Sequence, residues 1–111
     1  DSYMMIEKLR NRIAKKNYEA DRLYLKMNKF ESAFFYFDII LSEFYDTDYH
    51  DKALISYIFT YILMGQHDKA KEYFELNKSN FNNSNYQTEA QDMLEDYKNR
   101  LGFSGLRRLY K

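Results

Sequence analysis

Apolar residues recur along this chain at the three- and four-residue spacing of a single helix face. The spacing runs through residues 30–44 and 86–101, and it marks one long amphipathic helix over residues 6–27. Residues 53–64 are apolar on every side, which predicts a buried helix because a membrane span needs about 20 such residues. The pattern predicts an all-α fold of about five antiparallel helices.

Four short polar segments interrupt these helices and predict where they end. Asn and Gly tolerate the left-handed conformation that closes a helix, and Thr47 is a suitable N-cap for the helix that follows it. Ser84 and Gln87 have the spacing of a capping box. The four segments are Asn28-Lys29, Asp46-Thr47-Asp48, Gly65-Gln66 and Asn82-Asn83-Ser84.

The chain also repeats itself with a period of 37 residues. Ala33-x-x-Tyr36-Phe37 recurs as Ala70-x-x-Tyr73-Phe74, and the turns coincide under the same shift. A small residue lets two helices approach closely, and an aromatic ring one turn later fills the space beside it. This arrangement is typical of the tetratricopeptide repeat (TPR), so we predict a TPR-type solenoid of helical hairpins.

The repeat predicts one helical domain over residues 1–101. Its hairpins are residues 3–45 and 49–81, its terminal helix is residues 86–101, and residues 102–111 form a basic tail. Because such arrays normally need at least three units, we expect the chain to be a piece of a longer array.

The amino-acid composition excludes several classes of protein. The chain has 17 basic and 17 acidic residues and no cysteine, which excludes disulfide scaffolds and thiolate metal sites. A net charge of zero argues against binding nucleic acid by general phosphate attraction. The charge is unevenly placed, however, because residues 1–29 and 98–111 are basic whereas residues 30–97 are acidic. Such segments favour docking on charged partner surfaces.

The first helix of each TPR hairpin lines the concave face, which identifies candidate partner-binding residues. The first set is mixed and basic; the second is apolar and forms either a groove for a partner segment or a wall covered by the chain itself. The basic tail suits an acidic partner or anionic lipid headgroups, or packs at the chain end. The candidates are Tyr18, Arg22 and Lys26, then Ile55, Phe59 and Ile62, and in the tail Arg107 and Arg108.

The sequence offers no catalytic constellation, no metal site and no cofactor motif. His50 and His67 are the only histidines, and each is expected on the surface or at a cap because no further His or Cys completes a metal site. Neither a P-loop nor a dinucleotide fingerprint is present. We therefore expect a protein that is not an enzyme.

The sequence of the long first helix resembles that of a known protein family. Residues 6–20 read I-E-K-L-R-N-R-I-A-K-K-N-Y-E-A and continue to Leu23-Tyr24; this segment is similar to the long helix of BamD-like (YfiO/ComL-type) lipoproteins. Phe44-Tyr45-Asp46-Thr47 resembles the end of a repeat in that family. Tyr45 and Asn82 occupy turn positions where the family usually has proline.

The resemblance implies a non-catalytic scaffold on the periplasmic face of the bacterial outer membrane. Such proteins are anchored by a lipidated N-terminal cysteine, absent from this chain, and their C-terminal repeats hold the periplasmic domains of the barrel protein BamA. This chain resembles that C-terminal part, and no nucleic acid is implied. The alternatives are a generic TPR module that binds a peptide or protein in a cell-envelope complex, and a regulatory domain of an enzyme.

Overall fold

A computed structural model describes residues 2–99 of the chain, with side chains through residue 96. The described residues form five α-helices and one short 3-10 helix, which confirms the predicted all-α fold of helical hairpins. The helices are α1 (Ser2–Lys26), α2 (Phe30–Glu43), α3 (Tyr49–Leu63), α4 (His67–Asn77) and α5 (Ser84–Asn99), and the 3-10 helix is Lys78–Asn80.

The first helices of the two hairpins end in the same way. Asn28 and Gly65, which are 37 residues apart, both have positive φ angles, of 59° and 76°. After Asn28, the Lys29 N–H donates to the Tyr24 carbonyl at 2.9 Å, and the equivalent bond after Gly65 reaches Tyr61 at the same distance. These are Schellman motifs, which satisfy the last carbonyls of each helix. The predicted helix ends are therefore confirmed.

Helix α3 begins at the predicted cap. The Thr47 hydroxyl donates to the Phe44 carbonyl at 2.7 Å and accepts from the Tyr49 backbone N–H at 3.3 Å. The Thr47 carbonyl also accepts from the His50 N–H at 3.3 Å. One hydroxyl therefore closes the turn and caps the helix that follows it.

The capping box predicted for α5 is wrong by one residue. Asn83 is the cap, because its side-chain oxygen accepts from the Asn85 N–H at 2.8 Å and its carbonyl accepts from the Tyr86 N–H at 3.1 Å. Ser84 is already the first residue of the helix. Asn and Ser are nearly equal as caps, so two adjacent candidates are not distinguished by their residue types alone.

The chain comprises two compact units, Asp1–Leu54 and Ile55–Lys111. In the first unit α1 packs against α2, and Ala33 is fully buried, as expected of the small residue that permits close approach. Tyr24 and Tyr36 stack with ring centroids 5.5 Å apart. Buried apolar residues of this unit are Ala14, Leu25, Ala33, Phe37, Ile40, Ala53 and Leu54.

The second unit repeats these features. Ala70 is fully buried at the position equivalent to Ala33, and the rings of Tyr61 and Tyr73 lie 6.2 Å apart at the positions of the Tyr24–Tyr36 pair. Helix α4 packs against α5. Buried apolar residues here are Ile55, Ile58, Phe59, Ile62, Ala70, Phe74, Ala90, Met93 and Leu94. Most of the apolar run at residues 53–64 is thus a buried helix, as its composition predicts, whereas Met64 follows the end of α3 and is exposed.

Candidate functional site

Three of the predicted partner-binding residues lie along one side of α1. Tyr18, Arg22 and Lys26 follow one another at four-residue steps, which advance slowly around a helix of 3.6 residues per turn. Tyr18 is half-buried, with its ring 5.6 Å from the ring of Tyr49, while Arg22 is half-buried and Lys26 is exposed. We call this row of three residues the basic strip.

The strip combines a fixed aromatic ring with two cations. The ring contact of Tyr18 holds its side chain in place, so a partner would meet it with little further loss of conformational entropy. Lys15, on the same side of α1, reaches Glu19 only at 3.9 Å between two exposed side chains. An exposed pair of this kind contributes little, so the strip retains its positive potential. The arrangement suits an acidic protein surface.

The apolar candidates are placed differently. Ile55, Phe59 and Ile62 are 6%, 2% and 0% exposed. Their burial leaves no side-chain surface for a partner in this conformation, and it favours the interpretation in which the chain covers them. We therefore treat these three residues as core.

Arg107 and Arg108, together with the rest of the predicted basic tail, lie outside the described residues.

A cleft between α4 and α5 is a feature that the sequence analysis missed. It has a volume of about 390 Å³, and its lining combines the buried Phe74 and Leu94 with three carboxylates and the cation Lys71. The lining residues on each helix recur at three- and four-residue spacing, which is the signal that could have revealed it. The full lining is His67, Asp68, Lys71, Phe74, Glu75, Gln91, Leu94 and Glu95.

Asp21 is a buried acid that sequence reasoning did not single out. It lies on the packed side of α1 with 0% exposure, and neither carboxylate oxygen has a hydrogen-bond partner in the described part of the chain. Burial raises the pKa of Asp21 to about 9, and the nearby carboxylate of Asp38 adds to the shift. The side chain is therefore protonated at neutral pH.

The histidines differ from one another in burial. Of the two positions expected for His50, on the surface or at a cap, the first is wrong, because His50 is buried in the first turn of α3. Its Nδ1 lies 2.9 Å from an Asp51 carboxylate oxygen. His67 is half-buried and lines the α4–α5 cleft. Among residues 2–99, no three His, Asp or Glu side chains converge as a metal site requires. None of the described helices has the length and apolarity needed to cross a membrane.

The sequence of this helical array matches the model of one known protein family. Residues 1–76 match the model of the YfiO family, described as outer membrane lipoprotein. The chain belongs to the YfiO family. The match spans α1 to α4 and includes the segment in which the sequence resembles BamD-like lipoproteins, so that resemblance is confirmed.

A curated relative supports membership in the YfiO family. The outer membrane protein assembly factor BamD of Rickettsia prowazekii (strain Madrid E) is 30% identical to this chain over 100 residues. That alignment covers 89% of the chain but 39% of the relative. No solved structure matches the chain significantly.

Proposed function

We propose that this YfiO-family chain is a non-catalytic scaffold that docks on a BamA-like barrel protein during outer-membrane protein assembly. The observation that carries the proposal is its likeness to the Rickettsia relative, which is named an assembly factor and is 30% identical over 89% of the chain. Membership in a family of outer membrane lipoproteins supports the same role. The chain would act on the periplasmic face of that membrane, held there by a lipid anchor outside the sequence given.

The basic strip is the surface that we assign to this docking. Tyr and Arg are enriched among the residues that dominate binding energy at protein interfaces, because each buries a large area with limited loss of freedom. Tyr18 supplies the ring, and Arg22 and Lys26 supply charge for an acidic partner surface. Complementary charge would chiefly accelerate association and select the partner.

Charge reversal on the strip tests this assignment. The chain is immobilised, exposed to a detergent extract of the envelope of its source bacterium, and the BamA-like protein is measured in the eluate. The double variant Arg22→Glu/Lys26→Glu should lose most of that protein. The matched control reverses two exposed lysines of α4, Lys69→Glu/Lys71→Glu, and should retain it. Failure of the unmodified chain to recover a BamA-like protein would refute the proposal.

A second candidate function is a generic TPR module that binds a peptide. The cleft of about 390 Å³ between α4 and α5 favours it, since a lining with three carboxylates, one lysine and two buried apolar side chains suits a short basic segment. The same experiment separates the two functions. Under this alternative the α4 variant Lys69→Glu/Lys71→Glu should increase the amount of partner recovered, because it adds negative charge at the cleft. The α1 variant should leave that amount unchanged.

A further inference from the structure

The start of α3 lies against the side of α1 that carries the basic strip. The ring of Tyr49 lies 5.6 Å from the ring of Tyr18. The Asp48 backbone N–H donates to the side-chain oxygen of Asn11 at 3.2 Å. Asn11 and Tyr18 are seven residues apart, about two turns of α1, so both contacts fall on one side of that helix. The beginning of α3 is thus fixed to α1 at two points within the first compact unit.

Lys52 of α3 adds a cation to this contact. Its Nζ lies over the Tyr49 ring, 5.1 Å from the centre, where the face of the ring attracts a positive charge. The side chain is half-buried, and no carboxylate among the described residues forms an ion pair with it. The ring therefore holds the ammonium group in place without neutralising it.

Cations of α1 stand opposite Lys52. Lys15 and Arg22 are again seven residues apart, and Tyr18 lies between them on the same side of the helix. Lys15 is exposed and Arg22 is half-buried. The two half-buried tyrosine rings form a floor between these positive charges. We define the cationic groove as Lys15, Tyr18 and Arg22 of α1 together with Tyr49 and Lys52 of α3.

The internal repeat indicates that the fold does not need cations at these positions. One shift of 37 residues relates Lys15 to Lys52, and the next relates Lys52 to Glu89 of α5. Two shifts likewise relate Arg22 to Asp96. Helix α5 forms with these carboxylates in place. The positive charge is therefore a property of this groove and not of the repeat, and a negatively charged ligand accounts for it.

We propose that the cationic groove binds an acidic segment of the partner protein, with Tyr49 and Lys52 of α3 as binding residues. This inference rests on the proposed function and adds a second helix to the surface assigned there. Lysine and arginine donate charge-assisted hydrogen bonds to carboxylates, and the hydroxyls of the two tyrosines can donate to the same oxygens. Because the rings and Lys52 are already held in place, binding costs little conformational freedom.

Ligands rich in phosphate fit the groove less well. Glu19, whose carboxylate lies 3.9 Å from Lys15, and Asp48, next to Tyr49 in the sequence, are exposed acids close to the cations. A nucleic acid or an anionic membrane presents phosphates continuously and would meet this repulsion, whereas a polypeptide can place its carboxylates between the two acids. The groove thus favours an acidic polypeptide.

Two synthetic peptides test the proposal on the 111-residue chain. Their apolar residues are the same, and every glutamate of one is a lysine in the other. Titration calorimetry at low salt should show binding of the glutamate peptide and at least roughly tenfold weaker binding of the lysine peptide. Added salt should weaken the binding. Inorganic polyphosphate, titrated separately, should bind more weakly than the glutamate peptide.

The variant Lys52→Glu locates the binding site. It should weaken binding of the glutamate peptide by roughly tenfold and shift the preference toward the lysine peptide. Lys52→Arg keeps both the charge and the contact with the ring, so it should bind like wild type. The matched control Lys16→Glu makes the same change at an exposed position on a different side of α1 and should leave binding nearly unchanged. Far-UV circular dichroism checks folding, and Lys52→Gln replaces the glutamate variant if that variant unfolds.

The outcomes separate this inference from the proposed function. Equal binding of both peptides, tighter binding of polyphosphate, or unchanged affinity in Lys52→Glu would each overturn the groove, even if the envelope extract yields a BamA-like protein. Binding that depends on Lys52, without recovery of a BamA-like protein, would refute that partner and support the groove. Sedimentation of the chain alone tests a second copy as the acidic ligand; a dimer that Lys52→Glu abolishes would also overturn the proposal.

Discussion

Arg10 of α1 donates hydrogen bonds from Nε and Nη2 to the carboxylate of Asp46, and from Nη2 to the Glu43 carbonyl at 2.7 Å. Its guanidinium also lies 5.3 Å from the centre of the Phe44 ring. One side chain thus connects the first helix to the turn that precedes α3. The planar fork of arginine makes this possible, since lysine cannot reach both oxygens in parallel.

We predict that Arg10→Lys and Arg10→Ala both lower the melting temperature, with the alanine variant lower. The neighbouring guanidinium holds the pKa of Asp46 below its usual value, mainly through their hydrogen bond. The carboxylate is therefore charged in the folded state over a wider pH range than in the unfolded state. The pair stabilises the fold above the unfolded pKa of about 4 and loses its effect as pH falls through the lowered value.

Melting curves of wild type and Arg10→Ala at neutral and at strongly acid pH measure this effect. The difference between them should be clear at neutral pH and should shrink in acid. Lys15→Ala, which removes only the 3.9 Å ion pair with Glu19, is the control and should melt like wild type. A difference that does not depend on pH would show that packing, not the ion pair, is responsible.

For Asp21 we predict that stability depends on pH in the opposite direction. Its folded-state pKa of about 9 lies above the value of 3.8 for the free side chain, so between these values the folded chain holds a proton that the unfolded chain has released. Stability should therefore fall as pH rises from about 4 to about 9. Asp21→Asn, which resembles the protonated acid, should melt well above wild type at pH 8 and above it by a much smaller margin at pH 5.

The variant Asp38→Asn tests the smaller of the two causes that raise the pKa of Asp21. Because Asp38 is exposed and only adds to the shift at Asp21, its replacement should reduce the pH dependence slightly without removing it. If Asp21→Asn melts equally far from wild type at both pH values, Asp21 is not protonated in the folded chain.

Gly65 can be exchanged for the residue that the first repeat uses. Its φ of 76° places it in the left-handed region, although no atom would lie within 4 Å of an added Cβ. The strain of a substitution is thus conformational, and Gly65→Ala should cost about 1–2 kcal/mol of unfolding free energy. Gly65→Asn should cost clearly less, because Asn28 adopts the same conformation at the equivalent position. Urea denaturation compares the two, and equal losses would contradict the repeat equivalence.

Phe59→Asp distinguishes a core residue from a binding residue. Phe59 is 2% exposed, so a carboxylate there would be buried without a partner, and we expect a loss of at least about 3 kcal/mol or complete unfolding. Phe35→Asp makes the same chemical change at a side chain that is 61% exposed, and it should remain folded. Circular dichroism and melting curves measure both. A folded Phe59→Asp variant would restore the groove interpretation.

The helices and most of their ends could be predicted because they depend on nearby residues. Asn28 and Gly65 close their helices through bonds that span five residues, and Thr47 caps its helix across two. Membership in the YfiO family was likewise visible in the long first helix. Features of this kind need only a short stretch of chain to be recognised.

Burial of polar residues and exposure of apolar ones could not be predicted in the same way. Asp21 and His50 read as polar in any periodic pattern, but both are buried. Conversely, the apolar positions of α1 have the spacing of a packed face, yet Leu9 and Leu23 are 54% and 56% exposed within the described residues. Which face is covered depends on the arrangement of separate elements, which helical spacing does not specify.

Lys16 has a consequence for self-association. It is exposed midway along the apolar side of α1 that carries Ile6, Leu9, Ile13 and Leu23, so pairing two copies of the chain through this side would bring two ammonium groups together in an apolar contact. Burying like charges side by side is unfavourable, so this residue discourages the chain from dimerising there.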